Sequence, residues 1–163
     1  MHRVLVITVS DTRSSAEDRS GDRIEALLRA GGYDVSRRGP VKDDLAALSR
    51  LVGEAITEDA DVIVLTGGTG IAPRDVTQEA IAAHVTKRLD GYGEEFRRQS
   101  IAQIGPRGML SRASCGVANG RIVVALPGSV KAVELGVAIL LPMLEHAITL
   151  ARGETPDHAV AAR

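Results

Sequence analysis

Cysteine occurs once in 163 residues, at Cys115, which excludes an internal disulfide and any multi-cysteine metal site. Aromatic residues are nearly as scarce: Tyr33, Tyr92 and Phe96, with no tryptophan. Single-stranded nucleic acid is held by stacking bases on aromatic side chains along a basic groove, and the chain has little to build such a platform from. A dominant charge is missing as well, because 20 basic residues face 21 acidic ones. No global positive field is therefore available for a nucleic acid or an anionic membrane surface. Val137 to Leu144, the longest late apolar run, falls far short of the ~20 residues a bilayer span needs. Val4 to Val9 has neither the length nor the cleavage site of a secretory signal. These absences lead us to expect a cytoplasmic protein that binds neither nucleic acid nor membrane.

Two common phosphate motifs are also lacking. There is no Gly-x-x-x-x-Gly-Lys-Ser/Thr, and Gly67-Gly68-Thr69-Gly70 does not extend to Gly-x-Gly-x-x-Gly, because Ala72 and Pro73 follow. His84 and His146 have no partner at ligand spacing, which argues against a histidine-built zinc site.

With 44% apolar and 25% charged residues, the composition is that of a globular chain. Short branched-apolar runs alternate with segments of helical period. Strands are predicted at Val4–Val9, weakly at Asp34–Arg38, and most clearly at Asp61–Thr66. Helices are predicted from Asp18 or Ser20 to Ala30, and from Asp43 or Asp44 with Leu45, Leu48, Val52 and Ile56 on one stripe. Gly39-Pro40 is expected to end the second strand. Further helices are expected over Asp75–His84 and Glu94–Ile104, with a turn at Gly105–Gly108. Asn119-Gly120 between Ser111–Val117 and Gly120–Leu126 signals an antiparallel hairpin. Two last helices, Val130–Leu141 and one through His146 to Ala151, would close the chain. The pattern implies an α/β fold: a three-layer α/β/α sandwich with a mostly parallel central sheet and a short antiparallel element. We expect one domain over residues 1–152, with 153–163 a surface tail.

In such sheets ligands bind outside the carboxyl ends of the strands. Three unusual segments fall there: Ser10-Asp11-Thr12-Arg13, Thr66-Gly67-Gly68-Thr69-Gly70 and Pro127-Gly128-Ser129. Small residues let a backbone approach a ligand closely, and successive amides beside a helix N-terminus favour an anion. Any one of them is equally an ordinary tight turn; three on one rim suggest a pocket for a phosphorylated molecule. Asp75 either caps the helix after the glycine loop or offers a carboxylate for a proton or Mg²⁺. Asp43 and Asp44 pose the same choice. Arg13, Arg74 and Arg112 lie near these loops, suited to grip phosphate or to form salt bridges. Ser111 is a ligand hydroxyl or a turn cap, and Cys115 reads as a small buried residue rather than a nucleophile.

The string Thr66-Gly67-Gly68-Thr69-Gly70-Ile71-Ala72-Pro73-Arg74-Asp75-Val76-Thr77 resembles the MoaB/Mog family of molybdenum cofactor biosynthesis. So do Gly91-Tyr92-Gly93-Glu94-Glu95-Phe96-Arg97, Ser111-Arg112-Ala113, Gly116-Val117-Ala118-Asn119 and Leu126-Pro127-Gly128-Ser129, in the family's order. The last loop continues as Val130-Lys131-Ala132 rather than with proline, which places the resemblance nearer the MoaB branch. It implies a molybdopterin-binding domain that adenylylates molybdopterin with Mg-ATP, giving adenylyl-molybdopterin and pyrophosphate. The alternative it implies is a non-catalytic molybdopterin-binding or cofactor-assembly protein. By the same resemblance Asp75 and Asp43 are the functional and metal-holding aspartates. Ser10, Asp11, Thr66, Gly67, Gly68, Thr69, Gly70, Ser111, Gly128 and Ser129 are the binding residues. Relatives are trimers or hexamers, so a homo-oligomer is expected, alongside other molybdenum cofactor assembly proteins as partners. Tyr92, Phe96 and Met109 are its interface candidates, if they do not simply fill the core.

Overall fold

Six strands lie in the order β2-β1-β3-β6-β5-β4 in the computed structural model, which describes residues 1–11 and 17–155. Thr12 and Arg13 of the first loop, and 156–163 of the expected tail, lie outside the described residues. Along the chain run β1 (Arg3–Val9), α1 (Arg19–Ala30), β2 (Asp34–Val41), α2 (Leu45–Ala55), β3 (Val62–Thr66) and α3 (Thr77–Ala82). Then follow β4 (Lys87–Arg88), α4 (Asp90–Ile104), a 3-10 helix (Gly105–Leu110), β5 (Ser114–Ala118), β6 (Arg121–Leu126) and α5 (Val130–Ala151). β2, β1, β3 and β6 are parallel neighbours, whereas β5 runs antiparallel to β6 and β4 antiparallel to β5.

The middle strands lack polar alternation because helices cover both faces of the sheet. Val4, Val6, Val62, Val64, Ile122 and Val124 pack with α1, α4 and α5. Their neighbours Leu5, Ile7, Ile63, Leu65 and Val123 pack with α2 and α3 on the other side. The α/β/α sandwich is therefore present, antiparallel part included. Asn119 and Gly120, at φ 47° and 74°, form the two-residue turn between β5 and β6.

Several element boundaries differ from the sequence reading. β2 does not stop at Gly39-Pro40 but continues to Val41. It is an edge strand, where a proline removes no ladder hydrogen bond. α3 is only six residues and starts at Thr77, not Asp75. Leu45 is exposed, so the inner stripe of α2 is Leu48, Val52 and Ala55. Ser111 lies ahead of β5 rather than in it. The two expected terminal helices are one α5 of 22 residues that carries Pro142 inside it. By length and composition alone α5 is long and apolar enough to span a membrane. Here it is the core helix, with Val133, Val137, Leu140, Leu144 and Ile148 buried against the sheet.

Two buried carboxylates pin the layers together. Asp18 caps α1 through Gly21 N–H (2.9 Å) and also accepts from the Thr8 hydroxyl and the Arg37 guanidinium. Asp61, before β3, accepts from Arg3 N–H (2.9 Å) and from Arg152 at the end of α5. Burial alone would raise both carboxyls, but these donors outweigh it and hold them below the ordinary aspartate value. A depressed folded pKa contributes stability above the unfolded value of ~3.9, lost as pH falls through the folded value. Asp61→Asn should thus cost about 1–2 kcal/mol at pH 7 in urea unfolding, with the gap to wild type narrowing below pH ~4. An equal gap at pH 7 and pH 3 would remove Asp61's charge from the account.

Candidate functional site

The carboxyl ends of β1, β3 and β6 meet over a cavity of about 180 Å³ lined by Val9, Ser10, Asp11, Asp43, Gly67, Gly68, Arg74, Asp75 and Gly128. Seven of the sequence-predicted site residues come together here: Ser10, Asp11, Asp43, Gly67, Gly68, Asp75 and Gly128. Each arrives on a loop that directly leaves a strand, except Asp43 and Asp75, which precede α2 and α3.

The helix-capping roles are assigned residue by residue. Asp44, not Asp43, caps α2 by accepting Ala47 N–H at 2.7 Å. That leaves the Asp43 carboxylate to the cavity, while Asp43 N–H donates to Asp11 Oδ1 at 3.0 Å. Asp75 does not cap α3, whose N-cap is Val76 with no side-chain bond. Its Oδ2 instead accepts Ala72 N–H at 2.9 Å, closing the turn after the glycines. Asp43 Oδ1 is shielded from solvent and has no hydrogen-bond partner among the described residues. It lies over Gly68, where a Cβ would stand 2.5 Å from it and 2.5 Å from Thr77 Oγ1, so only glycine permits that approach. Burial, then the charges of Asp11 and Asp75, raise the Asp43 carboxyl above its ordinary value, with Arg74 opposing them.

A raised folded pKa means that the ionised form is disfavoured in the fold, so stability is lost as pH rises through that value. Asp43→Asn should accordingly melt about 1–2 °C higher than wild type at pH 7.5 and lose that advantage near pH 4. A lower melting point at pH 7.5 would show that the Asp43 charge stabilises the fold.

The other predicted site residues are placed elsewhere or used differently. Thr66 is buried and donates to Pro127 O at 3.1 Å, tying the ends of β3 and β6 together. Ser129 caps α5 by accepting Ala132 N–H at 3.3 Å. Thr69 is buried, and its carbonyl accepts Arg112 N–H at 3.1 Å. Ser111 lines a separate, larger cavity of about 550 Å³ between α3, α4 and β5, together with Arg97, Arg112 and Cys115. Burial pushes the Cys115 thiol up to about 12, consistent with an inert core residue. Thr77, the last residue of the glycine-loop motif, donates its hydroxyl to Gly67 O at 2.8 Å and its N–H to Gly68 O at 3.0 Å. Arg112 is occupied by protein groups: Nε donates to Gly70 O (2.9 Å), Nη2 to Asp75 O (3.0 Å), and both Nη atoms to Glu79.

Fold and site together define an α/β/α protein whose glycine-rich loop and acidic cavity sit at the carboxyl ends of parallel strands. Residues 5–146 match the family model described as "Probable molybdopterin binding domain". Molybdenum cofactor biosynthesis protein B of Staphylococcus aureus (strain Mu50) is 43% identical over 150 residues, spanning 90% of this chain and 89% of that protein. The crystal structure of the tungsten cofactor synthesizing protein MoaB from Pyrococcus furiosus superposes with a TM-score of 0.85 at 38% identity, covering 93% of this chain and 97% of that one. The molybdopterin biosynthesis Mog protein from Mycobacterium ulcerans gives 0.82 at 29% identity, covering 94% and 99%. The chain belongs to this molybdopterin-binding family of molybdenum cofactor biosynthesis, on its MoaB side.

Proposed function

We propose that this protein transfers the adenylyl group of ATP to molybdopterin in the cytoplasm, releasing pyrophosphate. In that reaction an oxygen of the molybdopterin phosphate attacks the α-phosphorus of ATP, and the bond to the β,γ-phosphates breaks. Bringing two phosphates together requires positioning and charge neutralisation more than covalent help from the protein. The observation that carries the reading is the Asp43 carboxylate oxygen, which is buried and unpaired among the described residues and faces the cavity shared with Asp11 and Asp75. An orphaned carboxylate oxygen is costly and calls for a cation or proton donor from outside the chain.

Among the described residues no group of three or more His, Cys, Asp or Glu side chains is arranged to hold a metal ion. The Asp43 and Asp75 carboxylates at the cavity suit Mg²⁺, which takes one or two carboxylates and completes its shell with water and substrate phosphates. Asp43 and Asp75 would hold it, and when bound it would neutralise phosphate charge. Gly67, Gly68 and Gly128 leave the backbone open to a phosphate, and α5 presents its N-terminus beside Gly128. Purified protein incubated with molybdopterin, Mg²⁺ and ATP should yield adenylyl-molybdopterin and pyrophosphate. Saturable molybdopterin binding with no ATP-dependent product would favour the binding and assembly role, with other cofactor assembly proteins as recipients.

A homo-oligomer, trimer or hexamer, forms part of the proposal. Tyr92 and Phe96 are buried in the chain's own core and are unavailable to a partner. Met109 remains exposed, next to the likewise exposed Ile101, Ile104 and Leu110 on the end of α4 and the 3-10 helix. Light scattering at micromolar concentration should return a multiple of three times 17.2 kDa. A mass of one chain would argue against assembly, and an oligomer unchanged by Ile104→Asp would argue against this patch as its interface.

A further inference from the structure

We propose that Arg112 is a positioning residue for the Asp75 cavity, holding the glycine loop from behind rather than gripping phosphate. This deepens the adenylyl-transfer reading and rests on Asp75 being the carboxylate that meets the phosphates. Four successive carbonyls of the loop are engaged by two residues. Gly67 O and Gly68 O accept from Thr77, whereas Thr69 O and Gly70 O accept from Arg112 N–H and Nε. Arg112 Nη2 then reaches Asp75 O at 3.0 Å, so one guanidinium spans both ends of the turn that presents the Asp75 side chain. Occupied carbonyls are turned from an incoming anion, and the turn is closed on the cavity side by Asp75 Oδ2 with Ala72 N–H.

The clamp is itself fixed. Glu79, on α3, pairs with both Nη atoms, and Arg112 O accepts from the Gln78 side chain, which in turn accepts from Ser114 Oγ at 3.0 Å. A planar fork is needed, since Nε and Nη2 must serve two carbonyls while the outer face serves a carboxylate. Lysine keeps the charge but cannot make these bonds together. Protein acceptors among the described residues take four of the five guanidinium N–H groups, leaving a single Nη1 hydrogen and no bidentate fork for phosphate, so its main effect on the reaction passes through the loop.

The test uses Arg112→Lys and Glu79→Gln in the full chain, with wild type beside them. Turnover of molybdopterin with Mg-ATP is measured together with hydrogen exchange over residues 67–77. For Arg112→Lys, kcat should fall at least ~30-fold with KM for both substrates within ~3-fold, and amide exchange in that segment should rise ~10-fold. Glu79→Gln should give a smaller change in the same direction, and melting points should drop by no more than about 3 °C. A general fold defect would instead raise exchange throughout the chain. Unchanged exchange in the loop overturns the proposal, as does a loss expressed only in KM for ATP, which would make Arg112 a phosphate ligand. If wild type itself makes no product, the adenylyl-transfer reading fails, and the exchange result alone decides whether Arg112 holds the loop.

Discussion

Asp75→Asn is expected to slow adenylyl transfer by at least ~100-fold, about 2.7 kcal/mol of transition-state stabilisation, in a protein that still folds. The substitution is diagnostic because of what the Asp75 side chain does within the fold. It caps no helix, since α3 begins at Thr77 with Val76 before it and no side-chain bond at its start. Among the described residues its side chain accepts one hydrogen bond, from Ala72 N–H at 2.9 Å. An asparagine carbonyl oxygen does the same, so the turn should persist and only the negative charge should vanish. The change in melting point should stay within about 1–2 °C. Steady-state kinetics and circular dichroism on the same preparation give both readouts. A folded Asp75→Asn protein with near wild-type turnover would transfer the role to Asp43, whose carboxylate oxygen is the better buried.

Gly67→Ala should have the largest effect on the fold itself. Gly67 has φ 103°, and a Cβ there would stand 2.1 Å from Val9 O, a backbone atom at the end of the neighbouring strand β1. Neither obstacle can be relieved by turning a side chain. We expect a cost of roughly 3–4 kcal/mol, a drop of about 8–14 °C in melting temperature, and loss of the cavity geometry with it. Gly32→Ala is the internal control. Gly32 also has positive φ, 88°, but nothing lies within 4 Å of the added Cβ, so only the backbone term of about 1–2 kcal/mol remains. Equal losses in the two variants would show that the close approach of β3 to β1 at this point is not what demands glycine.

Sequence pattern was most informative where an element is buried on both faces. β1, β3 and β6 read as continuous branched-apolar runs because no face of them meets water. The full length of β2 is not legible because it lies at the sheet edge, where Ser36, Arg37 and Arg38 carry polar side chains and no alternation survives. Proline usually breaks a helix, yet Pro142 sits on the exposed side of α5 and the helix runs through, joining the two segments that the sequence suggests. The two-residue strand β4 has no pattern long enough to detect.

At the site, the loops themselves were legible, since glycine and serine at strand ends have a stated cause. Which side chains remain available was not. Asp43 and Asp44 are adjacent and chemically identical, and only the backbone direction into α2 gives the capping role to Asp44. For Arg112 the sequence leaves a phosphate grip and a salt bridge both open, because a guanidinium suits carbonyls, carboxylates and phosphates alike. Its partners Gly70, Asp75 and Glu79 lie 33 to 42 positions away in the chain, beyond any local signal.

The strand order carries a consequence for how the chain comes into being. β3 lies between β1 and β6, with its residues fully buried, yet β6 leaves the ribosome some fifty-five positions after β3 ends. Any half-sheet of β1, β2 and β3 assembled before then would have an unpaired, strongly apolar β3 margin, the kind of margin that captures other chains. The last strand to be made is thus the one that seals the half-sheet, and the Gly128 loop that completes the acidic cavity emerges directly behind it. A nascent chain halted before Arg121 would expose the β3 margin and have no cavity, so aggregation hazard and incomplete function share one cause: late insertion of a central strand.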